Sequence, residues 1–160
     1  MAPTPPFSLA GRTALVTGSS TGLGKAVAAC LGHAGAKVAL NYANNQARGE
    51  AALAELRESG IEADLFRADV SDEAGVDQLF TAIEGSLGPV DIVVVNATPD
   101  QPHATIEDYD WDFYQQMLDF FVKSPYLLAR RALPSMKSRQ HGRLINITSE
   151  VFPLGVHPFS

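Results

Sequence analysis

The chain has 160 residues, with 12 Lys and Arg against 18 Asp and Glu for a formal net charge of −6, and is 46% hydrophobic and 19% charged. That composition fits one domain with a core of its own and excludes a disordered polymer, and the negative balance argues against nucleic acid as a partner, because phosphate binding needs a basic surface. No apolar run approaches the roughly 20 residues of a membrane helix, no basic-then-apolar leader stands at the start, and the single cysteine, Cys30, excludes an internal disulfide and fits a reducing, cytoplasmic setting.

Residues 1–8, with three prolines, read as a loose tail. Thr13–Thr17 reads as a strand, Gly22–Ala34 as a helix ending near Gly35, and Ala36–Tyr42 as a second strand. Cys30 is expected on the inner face of the first helix with Ala26 and Val27, as a core thiol. Gln46–Ser59 is helical and stopped by Gly60; Ile61–Phe66 alternates like a strand. Ser71 is expected to cap a helix whose apolar face is Val76, Leu79, Phe80, Ile83 and Leu87, at i, i+3, i+4, i+7 spacing. Val90–Val95 is nearly all apolar, as a strand covered on both faces must be. Asp108–Lys137 carries one long helical pattern that Pro125 is expected to bend, with Tyr109, Tyr114 and Tyr126 expected as core aromatics. Arg143–Thr148 is a fifth strand.

Strands alternating with helices predict an α/β fold over residues 9–160, a doubly wound parallel sheet of five strands that binds ligands at the carboxyl ends of its strands. The loop Thr17-Gly18-Ser19-Ser20-Thr21-Gly22-Leu23-Gly24 joins the first strand to the first helix with the spacing G-x-x-x-G-x-G. Gly18 permits a turn that side chains would block, Gly22 and Gly24 let the backbone approach a pyrophosphate, and the helix start offers free N–H groups. Ser19, Ser20 and Thr21 add hydroxyl donors. At the end of the second strand, where an NAD site places a carboxylate on the ribose diol, stands Asn41-Tyr42-Ala43-Asn44-Asn45. Amides would not repel a 2′-phosphate, which favours NADP(H) over NAD(H) and predicts a shift toward NAD in Asn41→Asp. No Arg in this loop clinches that choice, and Lys25, just past the glycines, is either a helper or a solvated charge.

With this order of motifs the chain resembles the short-chain dehydrogenase/reductase family. Its T-G-x-x-x-G-x-G signature stands at Thr17, Gly18, Gly22 and Gly24. Asp69-Val70 is similar to the family's Asp-Val pair at the adenine, although Asp69 also reads as a cap of the turn before Ser71. Val95-Asn96-Ala97-Thr98 is similar to the N-N-A-G segment, with Asn96 and Ala97 near the cofactor and Thr98 in place of the last glycine. Ser124-Pro-Tyr-Leu-Leu matches residues common in the family's long helix, and Gly142–Ser149 is similar to the fifth strand leading to the catalytic serine. The resemblance runs from Leu9 onward and implies a Rossmann fold, a nicotinamide cofactor and a small carbonyl or alcohol substrate, with Ser149 orienting the substrate oxygen.

Two departures accompany it. Ungapped alignment places the family's helix asparagine at Phe121, which cannot hydrogen-bond a water, and the Tyr-x-x-x-Lys pair would fall beyond Ser160. The expectation is therefore the cofactor-binding part of a reductase, incomplete at the carboxyl end, or alternatively an inactive nucleotide-binding or partner-binding module. The family forms dimers or tetramers through the long helix and the Tyr-x-x-x-Lys helix, so a homo-oligomer is expected for a complete chain and is doubtful for this one, whose fifth strand would be an open edge. His103 with Asp100 and Asp108 lacks metal-ligand spacing and reads as a solvated loop. His141 and His157 are isolated, and Val151–Phe159 is where substrate would enter.

Overall fold

Short, largely apolar runs build the centre of the molecule. In the computed structural model, which describes residues 7–102 and 105–149, β1 (Thr13–Val16), β2 (Lys37–Tyr42), β3 (Ala63–Arg67), β4 (Val90–Val95) and β5 (Arg143–Asn146) form one parallel sheet in the order β3-β2-β1-β4-β5. β1 and β4 are aligned so that Leu15 faces Val93 and Val16 faces Val94, while β4 and β5 pair Val94 with Ile145. The chain winds from β1 outward through β2 to β3, then returns to β4 on the other side of β1. This reversal puts the topological switch point, and hence the natural ligand crevice, at the carboxyl ends of β1 and β4.

Successive strand residues point to opposite faces, and each face carries its own core. Leu15, Ala39, Val93 and Val95 pack with Val76, Leu79, Phe80 and Ile83 of α3 (Glu73–Ser86) and with Leu127, Leu128, Ala132 and Met136 of α5 (Ser124–Ser138). Ala14, Val16, Val38, Leu40, Ile92 and Val94 pack with Ala28 of α1 (Gly22–His33) and with Ala52 and Leu56 of α2 (Gln46–Glu58). β4 is buried along its whole length, as its composition predicts. Asp91 is the exception among its residues: it is 2% exposed, accepts the Thr13 N–H at 3.1 Å, lies 3.6 Å from the Arg12 guanidinium and is hydrogen-bonded by Arg139, whose Nη2 also donates to Val90 O at 2.7 Å. A carboxylate in an otherwise apolar strand is tolerated because it is paired on every side.

Four local expectations change. The pattern read as one helix from Asp108 to Lys137 is α4 (Trp111–Leu118), a π turn (Asp119–Lys123) and then α5, whose first turn holds Pro125. The irregularity takes the form of a wide turn that ends two residues before Pro125. The cap of α3 is Asp72, whose carboxylate accepts the Gly75 N–H at 2.8 Å, while Ser71 donates both its N–H and its hydroxyl to Asp69 Oδ1. Cys30 is exposed; the inner face of α1 is Gly24, Ala28 and Gly32, one helical turn apart, because these small residues let the helix lie close to the sheet. Tyr114 and Tyr126 are exposed and Tyr109 half-buried, the last stacked on Phe113 at 4.1 Å between ring centres. No helix among the described residues is long and apolar enough to cross a membrane.

Candidate functional site

The glycine loop is held by polar side chains that point into the protein. The Thr17 hydroxyl accepts the N–H groups of Asn96 at 2.9 Å and Ala97 at 3.0 Å, and donates to Val94 O at 3.3 Å. The Asn96 carboxamide donates back to Thr17 O at 3.0 Å and Gly18 O at 3.2 Å. From the other side, Asn41 Oδ1 accepts the Gly18 N–H at 3.2 Å, and Asn41 Nδ2 donates to Ala68 O at 3.1 Å and Phe66 O at 3.4 Å. Ser19, which the loop sequence offers as a ligand donor, instead donates its hydroxyl to Val16 O at 2.7 Å and accepts the Asn41 N–H at 2.9 Å. It is fully buried and faces the sheet. β1, β2, β3 and β4 are therefore tied at their carboxyl ends into one frame around the loop.

That frame leaves a cradle with room for backbone and no more. A Cβ on Gly24 would lie 2.5 Å from both Gly18 O and Asn96 Nδ2, and one on Gly18 would lie 2.8 Å from Ala97 Cα. Gly18 and Gly22 also have φ of 62° and 54°, the left-handed region that glycine enters freely. A Cβ on Gly22 would meet nothing within 4 Å, because that side of the loop opens on solvent. Thr21, the residue preceding α1, makes no side-chain cap, whereas Asn45, Asp72 and Asp110 cap α2, α3 and α4. The first N–H groups of α1 consequently face the opening without side-chain acceptors, the arrangement that receives a phosphate.

The opening is a crevice of about 1110 Å³ along the carboxyl edge of the sheet. Gly18, Ser20, Thr21, Gly22, Leu23 and Gly24 form its floor. At the β2–β3 end it is lined by Asn41, Tyr42, Asn45, Arg48, Asp69 and Val70, and at the β4–β5 end by Asn96, Ala97, Thr98, Phe121, Thr148 and Ser149. Ser20, Thr21, the three glycines, Asn41, Tyr42, Asp69, Val70, Asn96, Ala97, Thr98 and Ser149 therefore line one continuous space, whereas Ser19 does not. Three strand spacings of about 4.8 Å separate β2 from β5, so the crevice spans roughly 14 Å and suits an extended dinucleotide. Asp69 Oδ1 accepts the Ser71 N–H and hydroxyl and so closes the turn, and the residue lines the β2–β3 end of the crevice. Thr98 hydrogen-bonds Pro99 O at 3.1 Å and Gln101 Nε2 at 3.0 Å. Lys25 is paired with Glu55 at 2.7 Å and does not line the crevice.

The sequence reading did not single out Arg48, Gln116 and Phe120, which also line this space. Gln116 and Phe120 are four positions apart, the same-face spacing of a helix, in the stretch that also carries Phe121. Arg48 sits inside the α2 pattern, where a charge reads as solvated. His103, His157 and the segment Val151–Phe159 lie outside the described residues. A second groove of about 500 Å³ between α3 and α5 holds Arg131, which pairs with Glu84 at 2.9 Å, and Arg130, which pairs with Glu73, so its charges are satisfied internally.

Residues 12–157 match the model of the short chain dehydrogenase family. The chain is 35% identical over 149 residues to 2-dehydro-3-deoxy-D-gluconate 5-dehydrogenase of Formosa agariphila, covering 93% of this chain and 56% of that protein. Among solved structures it is similar to gluconate 5-dehydrogenase from Burkholderia cenocepacia in complex with NADP and tartrate, with a TM-score of 0.80 and 31% identity over 89% of this chain and 55% of that one. It is also similar to L-sorbose reductase from Gluconobacter frateurii complexed with NADPH and L-sorbose, with a TM-score of 0.86 and 29% identity over 94% of this chain and 57% of that one. The chain thus spans little more than half the length of these relatives.

Proposed function

Because this chain belongs to the short-chain dehydrogenase family, we propose that it binds NADP(H) and serves the interconversion of a carbonyl and an alcohol. The observation that carries this reading is the side-chain-free cradle of Gly18, Gly22 and Gly24 beneath the uncapped start of α1, opening on the same crevice as Ser149. Ser20, Thr21, Leu23 and the glycines would hold the pyrophosphate, Tyr42, Asp69 and Val70 the adenosine, and Asn96, Ala97 and Thr98 the middle of the dinucleotide. When bound, the nicotinamide supplies or accepts the hydride. The Ser149 hydroxyl would donate a hydrogen bond to the carbonyl oxygen as it gains charge, and Phe120 and Phe121 would keep water from that end of the crevice. No tyrosine in residues 1–160 stands four positions before a lysine, so proton donation is assigned to none of these residues. The choice of NADP(H) is supported by relatives solved with NADP or NADPH and by the absence of a carboxylate from Asn41 to Asn45.

Fluorescence titration with NADPH and NADH tests the binding half. NADPH should bind and should bind more tightly than NADH; a chain that binds neither overturns the proposal. NADPH oxidation with a panel of aldehydes and ketones tests the chemical half. Ser149→Ala should lower that rate about tenfold or more at unchanged NADPH affinity, the worth of one charge-assisted hydrogen bond. Binding with no oxidation of NADPH by any carbonyl, even in a chain extended past Ser160, would favour the nucleotide-binding module instead.

A further inference from the structure

We propose that the substrate of this crevice is an uncharged carbonyl compound with an apolar body, and that the acidic stretch from Asp100 to Asp119 keeps carboxylate-bearing carbonyls out. This rests on reading the crevice as an NADP(H) site with Ser149 at the reacting carbonyl.

The charge of the chain is unevenly spread. From Pro99 to Val122 it carries Asp100, Glu107, Asp108, Asp110, Asp112 and Asp119 and no Lys or Arg. The other 12 acidic residues equal the 12 Lys and Arg, so the formal charge of −6 resides in this one stretch. Neutral groups hold several of these carboxylates: Asp108 accepts the Thr105 hydroxyl at 2.9 Å, Asp110 the Phe113 N–H at 2.8 Å and Asp119 the Gln115 amide at 3.3 Å. None of the six is in an ion pair among the described residues. Asp100 lines the crevice itself, Asp112 lies one helical turn before Gln116 on the same face, and Asp119 adjoins Phe120. The one basic side chain lining the crevice among the described residues, Arg48, is at the opposite, β2–β3 end. A cleft edged by one sign of charge focuses its field on whatever enters, and here that field repels anions from the Ser149 end.

The wall at this end is apolar. Phe120, Phe121 and Ile147 line it, with Phe121 49% and Ile147 37% exposed. It is anchored from beneath: Phe120 packs against the α3–α5 core, and the Ile147 N–H is held by Val95 O at 3.0 Å. Of the polar side chains at this end, Thr98 and Gln101 already bond each other at 3.0 Å. A carboxylate brought here would lose water against aromatic rings, beside Asp100 and with no cation to meet it. An aryl or alkyl body would cover the same rings at no electrostatic cost.

The test uses two probes that differ in one group: 4-phenyl-2-butanone, and 4-phenyl-2-oxobutanoate, in which a carboxylate replaces the methyl beside the carbonyl. Each is titrated into the 160-residue chain saturated with NADP+, and its dissociation constant is read from NMR chemical-shift changes. The ketone should bind at least about tenfold more tightly than the keto acid. Raising salt from about 50 to about 300 mM should narrow that ratio, because the repulsion is screened. Asp100 and Asp112 are exposed, so their replacement leaves the fold intact. Asp100→Asn combined with Asp112→Asn should narrow the ratio at least about threefold by strengthening the keto acid, and should leave NADPH affinity within about twofold. Phe121→Ser should weaken the ketone about threefold or more, since part of the apolar wall is lost. A keto acid that binds as tightly as the ketone, or a ratio indifferent to salt and to the double substitution, overturns the role of the acidic stretch. An unchanged ketone affinity in Phe121→Ser overturns the role of the wall, and binding of neither probe to the NADP+-loaded chain overturns the substrate class. Failure of the chain to bind NADPH at all instead overturns the proposed function beneath it.

Discussion

Thr17, Ser19, Asn41 and Asn96 surround the glycine loop, and all four turn their polar atoms inward. Their task is to hold a loop that has too few side chains to hold itself. The cradle stays open only while it is rigid, so the loop is sensitive to single methyl groups. In Gly24→Ala the new Cβ would press on Gly18 O and Asn96 Nδ2, and the carbonyl belongs to the loop that must stay in place. We expect NADPH affinity to fall at least tenfold, read by titration, with a melting temperature lowered by several degrees. The residue types around the loop were legible as polar and as belonging to a nucleotide site. Their direction was not, because each bonds a backbone group brought near by another strand: Thr17 and Asn96 are 79 positions apart. No local pattern shows which partner a hydroxyl or amide will find.

At the scale of the element, the stretch from Trp111 to Ser138 shows what periodicity can and cannot supply. Apolar spacing marks it as helical throughout. It does not show that the turn Asp119–Lys123 is wound one residue wide, which rotates everything after it by about 100° relative to everything before. Leu127, Leu128, Ala132 and Met136 consequently reach the core, while Trp111, Tyr114 and Leu118 stay exposed. The wide turn also brings Phe120 and Phe121 to the crevice. The far end of α5 offers a cleaner energetic test. Gln140 has φ of 52°, closes the helix with its N–H on Lys137 O, and is followed by His141 bonded to Met136 O. A glycine belongs in that left-handed position. Gln140→Gly should stabilise the chain by about 1 kcal/mol, a rise of about 2–4 °C in Tm by calorimetry, with cofactor binding unchanged.

On the scale of the whole molecule, the two cores differ in how they are covered. The β3-β2-β1 side is covered by α1 and α2, but β5, one of the sheet's two edge strands among the described residues, is exposed along its length. Leu144, Ile145 and Ile147 of this edge, with Phe121 and Val122 of the π turn, are each more than a third exposed. An apolar edge strand invites pairing with another chain, and a net charge of −6 on 160 residues opposes that only weakly at physiological salt. The 160-residue chain should therefore self-associate as its concentration rises, read by light scattering. Ile145→Lys should suppress the association and leave NADPH binding intact. Equal association in the variant would place the contact elsewhere.

The order of strands and helices, the glycine loop, the apolar β4 and the family itself were all readable from the chain, because each depends on residues close together in sequence. The register of hydrophobic runs sets the elements, and the loop spacing sets where a phosphate can approach. What only the tertiary structure decided are matters of direction and partner. It turned Ser19, Asn41 and Asn96 inward, carried Cys30 and Tyr126 to the surface, buried Asp91 with its arginines, and left Arg48 as the cation facing the crevice. The reason is common to all of them. A side chain's role is fixed by whatever the fold sets opposite it, and for these residues that neighbour comes from a distant strand or from a single wide turn that rotates a helix face.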